Sequence, residues 1–531
     1  MYRSTLLVVL GLAQICWQIR TASCYNILAV FPVRAYSHFV VLNSIAKELA
    51  SHGHNVTVYS KYPEKYKSDN YTHIELVDCF PLKNDNYRYN SVEYVSSYNS
   101  NLGFLIYILS FIPAYEEIKE CAPLMDLIET SDHSYDLLLL EAYNGNTDIY
   151  AGLSYKLKIP YVSVATTTLY PWLSERIATP DNPSYIPVPF SGFTSEMTFY
   201  ERIVNTVVYL TSKILYNLKS ITESDAIARQ LFGQDMPNLR NILENCSLTF
   251  TYTHSSMNPI RPLVPNVVEI AGVNIKGVNP LPEDIEKFIN ESEHGVLYFS
   301  MGSFLHSKMF PKDKLNALIA AFAQIPQRVI WKWESDTISV KTDKIYTAPW
   351  LPQKDILAHP NVKLFMSHGG LLGLNEAIYA GVPILGIPIF ADQLTNVNHL
   401  KNLGAAEVLD YNEITEENVL KKIYQILDNI SYEENAKLIS TRYKDRPLSP
   451  QDTVVYWSEY VVRHDGAHHL RTPAARMPWY QYILLDVIGF VAILFAIFFI
   501  TVFYTFKLWF LMIRKLFVKN WLNPAVKVKE N

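Results

Sequence analysis

An uncharged run near the C-terminus constrains this chain more than any other feature. Val487 to Phe506 contains no charged residue, and roughly 20 apolar residues that each advance ~1.5 Å cross a hydrocarbon core of ~30 Å. Asp486 marks the near edge of the run, because a carboxylate at the bilayer centre costs about 2.5–3.5 kcal/mol. A buried core helix would be shorter and would not lack charge so completely. The run therefore predicts a transmembrane helix over residues 487–506.

The residues beyond this run, 507–531, form a basic tail. Excess Lys and Arg beside a span mark its cytoplasmic side, so we expect the tail in the cytoplasm. The ending Lys527-Val-Lys529-Glu-Asn resembles the dilysine signal that returns membrane proteins to the endoplasmic reticulum, and it predicts residence there. Glu530 is the one acidic residue of the tail, and its basic residues are Lys507, Arg514, Lys515, Lys519, Lys527 and Lys529.

The N-terminus has the pattern of a secretory signal. Arg3 precedes the apolar run Leu6 to Ile15, and the small residues at 21–23 suit cleavage. An uncleaved anchor is the alternative, but the run is too short to span a bilayer. A signal peptide over 1–23 predicts a single-pass type I membrane protein whose main body faces the lumen. Asn-x-Ser/Thr triplets suit a lumenal glycoprotein, and they begin at Asn55, Asn70, Asn245, Asn290 and Asn429.

Length, charge and cysteine content limit the classes of protein to which this chain can belong. A chain of 531 residues is too long for one hydrophobic core, so at least two domains are expected. Its formal net charge of −5 gives no basic field for nucleic acid. Cys79, Cys121 and Cys246 remain after the predicted cleavage, and they have no metal-ligand spacing. One disulfide is possible, and the sequence does not choose the pair.

Apolar strands alternate with helical patterns, and the alternation starts twice. The first series opens with Ile27–Phe31, a helix over 39–49 and Asn55–Tyr59; a second opens with Val296–Ser300 after a linker over 272–282 that is rich in Gly and Pro. The predicted fold class is α/β, with two Rossmann-like doubly wound domains and one C-terminal transmembrane helix. The predicted boundaries are 24–265 for the first domain, 266–450 for the second, and 451–486 for returning helices and the juxtamembrane segment.

Polar and glycine residues cluster after successive strands of the second half. His368-Gly369-Gly370 stands where a predicted strand meets a predicted helix, and small residues there let backbone N–H groups bind a pyrophosphate without metal. Trp350 offers a flat face for a base, and Glu376 offers oxygens for ribose hydroxyls. Any one of these alone would suit a glycine turn with a capping His and a core Trp. Together with Asp392 and Gln393 after the next strand, they favour a nucleotide site at the carboxyl edge of the sheet.

The run from Trp350 to Gln393 closely resembles the donor-binding signature of the UDP-glycosyltransferases, the animal branch that includes insect UDP-glucosyltransferases and vertebrate UDP-glucuronosyltransferases. The resemblance extends over nearly the whole chain and implies the GT-B arrangement, with an acceptor-binding first domain facing a second domain that binds the UDP-sugar. One position departs from the vertebrate pattern. Leu372 stands two residues beyond the Gly-Gly pair, where vertebrate members carry Asn.

The same resemblance implies roles for individual residues. Trp350 stacks on uracil, Gln353 and Glu376 hold the ribose, His368 with Gly369 and Gly370 holds the diphosphate, Asp392 and Gln393 contact the sugar hydroxyls, and Ser303 and Arg261 lie near the phosphates.

His38 is the catalytic candidate, because the family's base occupies the loop after the first strand. A helix N-terminus disfavours imidazolium, so we expect a neutral His38 that can take a proton. The family's partner for that base is an Asp at the end of the strand that here reads Asp136 to Leu140, and this chain places Glu141 there. Glu carries the same charge on a longer arm. Asp148 is an alternative partner.

The implied reaction is direct displacement at the anomeric carbon with inversion, assisted by His38 as general base. No Asp-x-Asp triplet occurs in the chain, so we expect UDP-sugar as co-substrate without metal or a permanently bound cofactor. The segment Ser-His-Gly-Gly-Leu-Leu resembles that of insect members of the family, and this resemblance favours glucose over glucuronate as the transferred sugar. The apolar stretch 101–114 suits a small lipophilic acceptor, such as a phenol, a steroid or a xenobiotic undergoing detoxification. A weakly catalytic ligand-binding protein and a structural membrane receptor are the rival interpretations, and the oligomeric state is left open.

Overall fold

The computed structural model describes residues 24–33, 35–76, 79, 103, 115–130, 134–303, 309–334 and 343–522. The predicted signal peptide, the end of the basic tail and nearly all of the apolar stretch 101–114 lie outside the described residues. The chain divides into two compact units, Met1–Thr472 and Pro473–Asn531.

Seven described strands form the parallel sheet of the first domain, in the order β3-β2-β1-β4-β5-β6-β7. Successive side chains of β1 and β4 enter different cores, with Ile27 and Ala29 on one face and Leu28 and Val30 on the other. Both faces are therefore covered, as expected for a doubly wound sheet. The strands are β1 Asn26–Phe31, β2 Asn55–Ser60, β3 Tyr71–Glu75, β4 Leu137–Glu141, β5 Tyr161–Ala165, β6 Leu248–Thr251 and β7 Val267–Glu269.

Six described strands form the second sheet, also parallel, in the order β10-β9-β8-β11-β12-β13. In each sheet the strand order reverses direction once, between β1 and β4 and between β8 and β11. Ligands of such folds bind outside the carboxyl ends of the strands at these switch points. The strands are β8 Val296–Ser300, β9 Arg328–Lys332, β10 Ile345–Ala348, β11 Val362–Ser367, β12 Ile384–Gly386 and β13 Ala406–Val408.

Helices connect the strands in both domains. Those of the first domain are α1 Tyr36–Ser51, α2 Tyr115–Lys119, α3 Ala122–Glu129, α4 Gly145–Asp148, α5 Gly152–Leu157, α6 Pro171–Ile177, α7 Phe199–Leu215, α8 Ile221–Phe232 and α9 Leu239–Glu244. Those that follow are α10 Glu283–Asn290, α11 Lys312–Gln324, α12 Gln353–Leu357, α13 Leu371–Ala380, α14 Gln393–Asn402, α15 Glu416–Leu427, α16 Ser431–Lys444 and α17 Pro450–Arg463.

Helix α13 begins at Leu371, directly after Gly370, so its N-terminus lies against the glycine pair. Helix α7 starts at Phe199 and is separated from α8 by a π-helical turn, Tyr216–Ser220. A π turn inserts one residue per turn and rotates the faces of the flanking helices.

The last helix of the first unit, α17, returns to the first domain and packs against α1. Its Glu459 lies 3.3 Å from Nε2 of the buried His54, which follows α1. Lys276, in the segment before α10, pairs with the buried Glu48 of α1. Helix α1 is therefore held from outside its own domain as well as by its own sheet.

Cys79 and Cys121 form a disulfide, which resolves the choice that the sequence left open. Cys121 stands directly before α3. Of the cysteines that the structure describes, Cys24 is free and exposed, and Cys246 is free and buried.

The second unit contains α18 Trp479–Tyr482 and the terminal helix α19 Leu485–Leu522. Leu485–Lys519, a 35-residue stretch of α19, is long and apolar enough to cross a membrane, and an 18-residue window within it has a mean hydropathy of 2.8. The helix is longer than the predicted span of 487–506 because the basic residues after Phe506 continue it.

Candidate active site

His38 lies in the first turn of α1, after the carboxyl end of β1. Its Nδ1 is 2.5 Å from Oε1 of Glu141, the last residue of the neighbouring strand β4. The Glu141 side chain is fully buried, whereas that of His38 keeps 17 % exposure. The carboxylate therefore holds the inner ring nitrogen, and within the described residues no hydrogen bond reaches Nε2.

Thr166, one residue beyond β5, completes this cluster. Its hydroxyl donates to Glu141 Oε1 at 2.8 Å and lies 3.0 Å from His38 Nδ1. Three adjacent strands, β1, β4 and β5, thus each place one polar side chain at the same edge. Thr166 was not predicted from the sequence, where its one signal is that it is a polar residue directly after a buried strand.

The electrostatics of His38 differ from the sequence-based expectation. Burial lowers the pKa of His38, but the charge and hydrogen bond of Glu141 and the charge of Asp392 raise it, and the net pKa is raised above the usual value for histidine. The expectation drawn from the helix N-terminus alone was therefore wrong in direction. Because a carboxylate accepts from Nδ1–H, the neutral ring presents its lone pair at Nε2.

Asp148, the alternative partner for His38, is engaged elsewhere. Its carboxylate lies 2.9 Å from Arg176 Nη2 and accepts from the Tyr216 hydroxyl, in the interior of the first domain. All three side chains are buried. Glu141 is the acidic residue that contacts His38.

At the switch point of the second sheet, His368 follows β11 and Gly302 follows β8. Gly302 and Gly369 have φ values of 82° and 86°, which only glycine adopts easily. A Cβ on Gly302 or Gly370 would collide with the His368 ring, so glycine at both positions leaves room for the imidazole. Burial and the charge of Lys332 lower the pKa of His368 to about 4, which makes it neutral at physiological pH.

An open cleft of about 420 Å³ lies beside these turns, between the two domains. Trp350 is 61 % exposed there, and Tyr36 of the first domain meets its ring edge-on at a centroid distance of 5.6 Å. Ser303 joins the lining directly after Gly302. The remaining lining residues are Lys332, Glu334 and Pro349.

Lys332, the last residue of β9, is a site residue that the sequence analysis missed. It is buried, and its ammonium donates to the Gly302 carbonyl at 2.9 Å and to Glu334 at 2.6 Å. The same ammonium lies 5.6 Å from the centre of the Trp350 ring. A cation thus stands between the glycine turn and the exposed indole.

Gln353 and Glu376 form a pair on one side of this site. The Gln353 amide donates to Glu376 Oε2 at 2.7 Å, and the Tyr298 hydroxyl donates to Gln353 Oε1 at 3.2 Å. Burial raises the pKa of Glu376 to about 7, although the hydrogen bond from Gln353 lowers it. The carboxyl therefore takes up and releases a proton near neutral pH.

Asp392 and Gln393 mark the start of α14, after β12. Gln393 accepts from the backbone N–H groups of Ile389 and Phe390 at 2.8 and 3.1 Å, and Asn396 donates to Asp392 at 2.9 Å. Burial raises the pKa of Asp392, while Asn396 and the charge of His38 lower it. The charges of Asp392, in the second domain, and His38, in the first, thus shift the pKa values of each other.

Comparison with known proteins identifies the family. The family model described as UDP-glucoronosyl and UDP-glucosyl transferase matches residues 26–521. UDP-glycosyltransferase UGT5 of Dactylopius coccus is 44 % identical over 520 residues, covering 97 % of this chain and 98 % of the relative. The chain is a member of the UDP-glycosyltransferase family. The resemblance stated from the sequence is thereby confirmed.

Other similar proteins carry both donor types in their names. UDP-glucosyltransferase 2 of Dactylopius coccus is 38 % identical, covering 90 % of this UDP-glycosyltransferase and 92 % of the relative. UDP-glucuronosyltransferase 2B15 of Rattus norvegicus is 31 % identical, covering 96 % and 97 %. The family assignment thus fixes a UDP-sugar transferase and leaves the sugar to be determined.

Solved structures share the fold. Spinosyn forosaminyltransferase SpnP superposes with a TM-score of 0.54 at 17 % identity, covering 83 % of this chain and all of that one. The calicheamicin glycosyltransferase CalG4 gives 0.52 at 14 %, covering 83 % and 99 %. The predicted GT-B class with a C-terminal apolar helix is confirmed.

Two positions differ from the expected donor site. Arg261 donates to Ser174 Oγ at 2.9 Å and to the carbonyls of Leu169 and Pro180, so its described hydrogen bonds stay inside the first domain and do not join it to His368. Leu372 packs against the core in the first turn of α13, and it presents no polar group where vertebrate members have Asn.

A metal site was not expected from the sequence. Across the described stretches, no group of three or more His, Cys, Asp or Glu side chains converges as metal ligands would.

Proposed function

We propose that this UDP-glycosyltransferase transfers a hexosyl group, preferably glucose, from a UDP-sugar to a hydroxyl of a small lipophilic acceptor, with inversion and without metal. The observation that carries the proposal is the His38–Glu141 contact, which engages Nδ1 and leaves Nε2 without a described hydrogen bond. The charge of Asp392, in the donor domain, also raises the pKa of this imidazole. UDP-glucuronate is the alternative donor.

The roles that we propose in donor binding follow from the positions of the residues in the candidate site. The exposed Trp350 face stacks on uracil, and the Gln353–Glu376 pair holds the ribose. The diphosphate lies over the turn His368-Gly369-Gly370 and the N-terminus of α13, where backbone N–H groups favour an anion. Ser303 completes the phosphate site, Asp392 and Gln393 bind sugar hydroxyls, and Lys332 adds positive charge beside the glycine turn.

The reaction needs one base. His38 Nε2 removes the acceptor hydroxyl proton while the acceptor oxygen forms a bond to the anomeric carbon. The bond from that carbon to the UDP oxygen breaks on the opposite face, so an α-linked donor yields a β-glycoside and UDP. Glu141 and Thr166 fix the ring with Nδ1–H inward, and the Glu141 charge stabilises the imidazolium that forms.

Glucose is preferred on two grounds. The segment Ser-His-Gly-Gly-Leu-Leu around His368 resembles that of insect members. The sequence identity to the relative named a UDP-glucosyltransferase also exceeds that to the rat UDP-glucuronosyltransferase. The acceptor remains defined by class. The setting that we propose is the lumenal side of the endoplasmic reticulum membrane, with a cleaved signal peptide and α19 as a type I anchor, in a role such as detoxification.

The test uses membranes from cells that express the wild-type chain, His38→Ala or His294→Ala. His294 is exposed, which makes it a matched control. Simple phenols are supplied with UDP-glucose, UDP-glucuronate or UDP-galactose, with and without EDTA, and glycoside and UDP are quantified. We expect β-glucoside from the wild type and His294→Ala, unaffected by EDTA, and a loss of about 10²–10⁴ in rate for His38→Ala.

Each alternative has its own outcome. Product from UDP-glucuronate alone would correct the donor, and loss of activity in EDTA that Mg²⁺ or Mn²⁺ restores would overturn the metal-free mechanism. UDP binding without product from any donor, in folded protein, would favour a binding role.

A further inference from the structure

A loop of the first domain contacts helix α14 of the second domain through a single glycine. The Gly192 N–H donates to Thr395 Oγ1 at 3.0 Å, and the Gly192 carbonyl accepts from Asn398 Nδ2 at 2.8 Å. Thr395 and Asn398 are three residues apart in α14, so their side chains lie on one face of the helix. Both backbone hydrogen-bonding groups of Gly192 are thus paired with the other domain. We call Gly192, Thr395 and Asn398 the Gly192 clasp.

Glycine is needed at the centre of this clasp for two reasons. Gly192 has a φ of 73°, in the left-handed region that favours glycine. A Cβ at this position would lie 2.7 Å from Cδ2 of Leu394. The absence of a side chain therefore lets the loop backbone approach α14 closely enough for both hydrogen bonds to form.

The loop that carries Gly192 is held firmly by its own domain. The Val188 N–H donates at 2.8 Å to Asn205, a fully buried residue of α7. Ser191 donates to the Val188 carbonyl through its N–H at 2.9 Å and its hydroxyl at 2.8 Å. The Phe193 N–H in turn donates to the Ser191 hydroxyl at 3.1 Å. Because polar contacts on both sides of Gly192 fix the loop, the clasp ties α14 to a rigid part of the first domain.

The start of α14 touches the first domain a second time, directly before Asp392. Ala391 packs against the hydrophobic core of the first domain. Its φ of 59° is left-handed, which alanine adopts rarely, and such a conformation persists where the surroundings determine it. Asp392 is therefore flanked by contacts with the first domain, Ala391 on one side and the clasp, beginning at Thr395, on the other.

We infer that the Gly192 clasp holds Asp392 and the sugar end of the donor against His38, with Thr395 and Asn398 as positioning residues. This inference rests on the proposed function. The acceptor oxygen and the anomeric carbon meet only if the first domain, which carries the base, faces the sugar correctly. A misplacement of about 1 Å costs up to about 10²-fold in rate. The proposed contacts with uracil and diphosphate lie within the second domain, so the clasp acts on turnover and not on UDP affinity.

The kinetic test compares the wild type with the double variant Thr395→Val, Asn398→Ala, which removes both hydrogen bonds of the clasp. Asn402→Ala is the matched control, because Asn402 is exposed in the last turn of the same helix. We expect unchanged UDP affinity by calorimetry, and a fall in kcat of up to about 10²-fold. The single variant Thr395→Ser keeps the hydroxyl and should keep the wild-type kcat.

The pH profile separates positioning from a general loss of structure. The charges of Glu141 and Asp392 raise the pKa of His38, so the rising limb of kcat/KM should move to lower pH when Asp392 is no longer held in place. In an Asp392→Asn background the double variant should cause no further movement. An unchanged limb in the clasp variant, or UDP affinity that falls in parallel with kcat, would overturn the inference.

A distance measurement tests the clasp without turnover. In a Cys24→Ser background of the full chain, cysteines replace Glu223 on α8 and Lys421 on α15, both exposed, and each carries a nitroxide. Pulsed electron resonance should show one narrow distance in the wild type and a broader distribution in the clasp variant. Equal distributions would overturn the clasp, and a broader distribution at wild-type kcat would overturn its positioning role. A wild type that binds UDP but forms no glycoside would refute the proposed function, while the distances still report on the clasp.

Discussion

The Asp392 carboxylate, at the start of α14 in the second domain, raises the pKa of His38, at the start of α1 in the first. Glu141 contributes from the same domain as His38, so the imidazole is influenced by carboxylates from both sides of the cleft. The protonation of the proposed base therefore depends on how the two domains face each other.

The first prediction concerns pH. A base must be neutral to act, so kcat/KM should rise with pH through the raised pKa of His38, which lies above the ordinary 6.5. In Asp392→Asn one of the carboxylates that raise this pKa is gone, and the rising limb should move to lower pH. The measurement is the pH profile of kcat/KM for both chains.

Loss of a sugar contact also lowers the overall rate of Asp392→Asn, so only the position of the limb is diagnostic. Ser303→Ala removes a polar group from the donor site without changing charge, and its limb should coincide with the wild type. If the rising limb of the Asp392→Asn profile stays in place or moves to higher pH, Asp392 does not act on the base.

The second prediction concerns the charge and the side-chain length of Glu141. Glu141→Gln removes the charge that stabilises the imidazolium, so kcat should fall by about 10²–10⁴ with little change in donor KM. Glu141→Asp keeps the charge on a shorter side chain and should lose less. Steady-state kinetics at saturating donor distinguish the two, and equal losses in both variants would mean that geometry matters more than charge.

Much of this site follows from one rule, that the carboxyl ends of parallel strands meet at one edge. His38 and Glu141 are far apart in sequence, yet β1 and β4 are neighbours, so a strand-end argument brings them together. The same rule groups His368 with Asp392, because β11 pairs with β12. His368 and Asp392 were predicted because each follows an apolar strand, whereas His38 and Glu141 were assigned through the family resemblance.

Thr166 and Lys332 obey the same rule and were missed, because a lone Thr or Lys after a strand is too common to signal function. The direction of the His38 pKa was also beyond the sequence, since it depends on the balance between burial and two carboxylates. Arg261 was placed by resemblance alone, and its contacts with Ser174 and Leu169 depend on how the loops of the first domain fold.

The third prediction concerns Thr166 as a positioning residue. Thr166→Val keeps the shape but removes one of the two donors to Glu141 Oε1, and a hydrogen bond to a charged group contributes about 1.5–3 kcal/mol. If that loss falls on the transition state, kcat drops roughly 10- to 150-fold and the pH limb shifts. Thr166→Ser should restore both readouts; a Ser variant as slow as Val would indicate a packing role.

The fourth prediction concerns the disulfide. Cys79 and Cys121 are separated by 42 residues, and closing a loop of that length in the unfolded chain contributes about 4 kcal/mol of stability. The pair Cys79→Ser with Cys121→Ser should lower Tm by several degrees, whereas Cys24→Ser should not. Thermal unfolding in non-reducing buffer measures both. Unchanged Tm in the double variant would show that the bridge is not formed in the expressed protein.

The last prediction concerns the position of the His368 ring beside Gly370. Gly370 has φ −65° and ψ 137°, which alanine adopts without strain, so Gly370→Ala acts only through the collision of its methyl group with the His368 ring. Displacing the ring from the diphosphate removes one charge-assisted hydrogen bond, worth about 1.5–3 kcal/mol, and UDP should bind about 10- to 150-fold more weakly. Gly489→Ala, whose added methyl meets nothing within 4 Å, is the matched control. Calorimetric titration with UDP measures both, and wild-type affinity in Gly370→Ala would place the diphosphate away from His368.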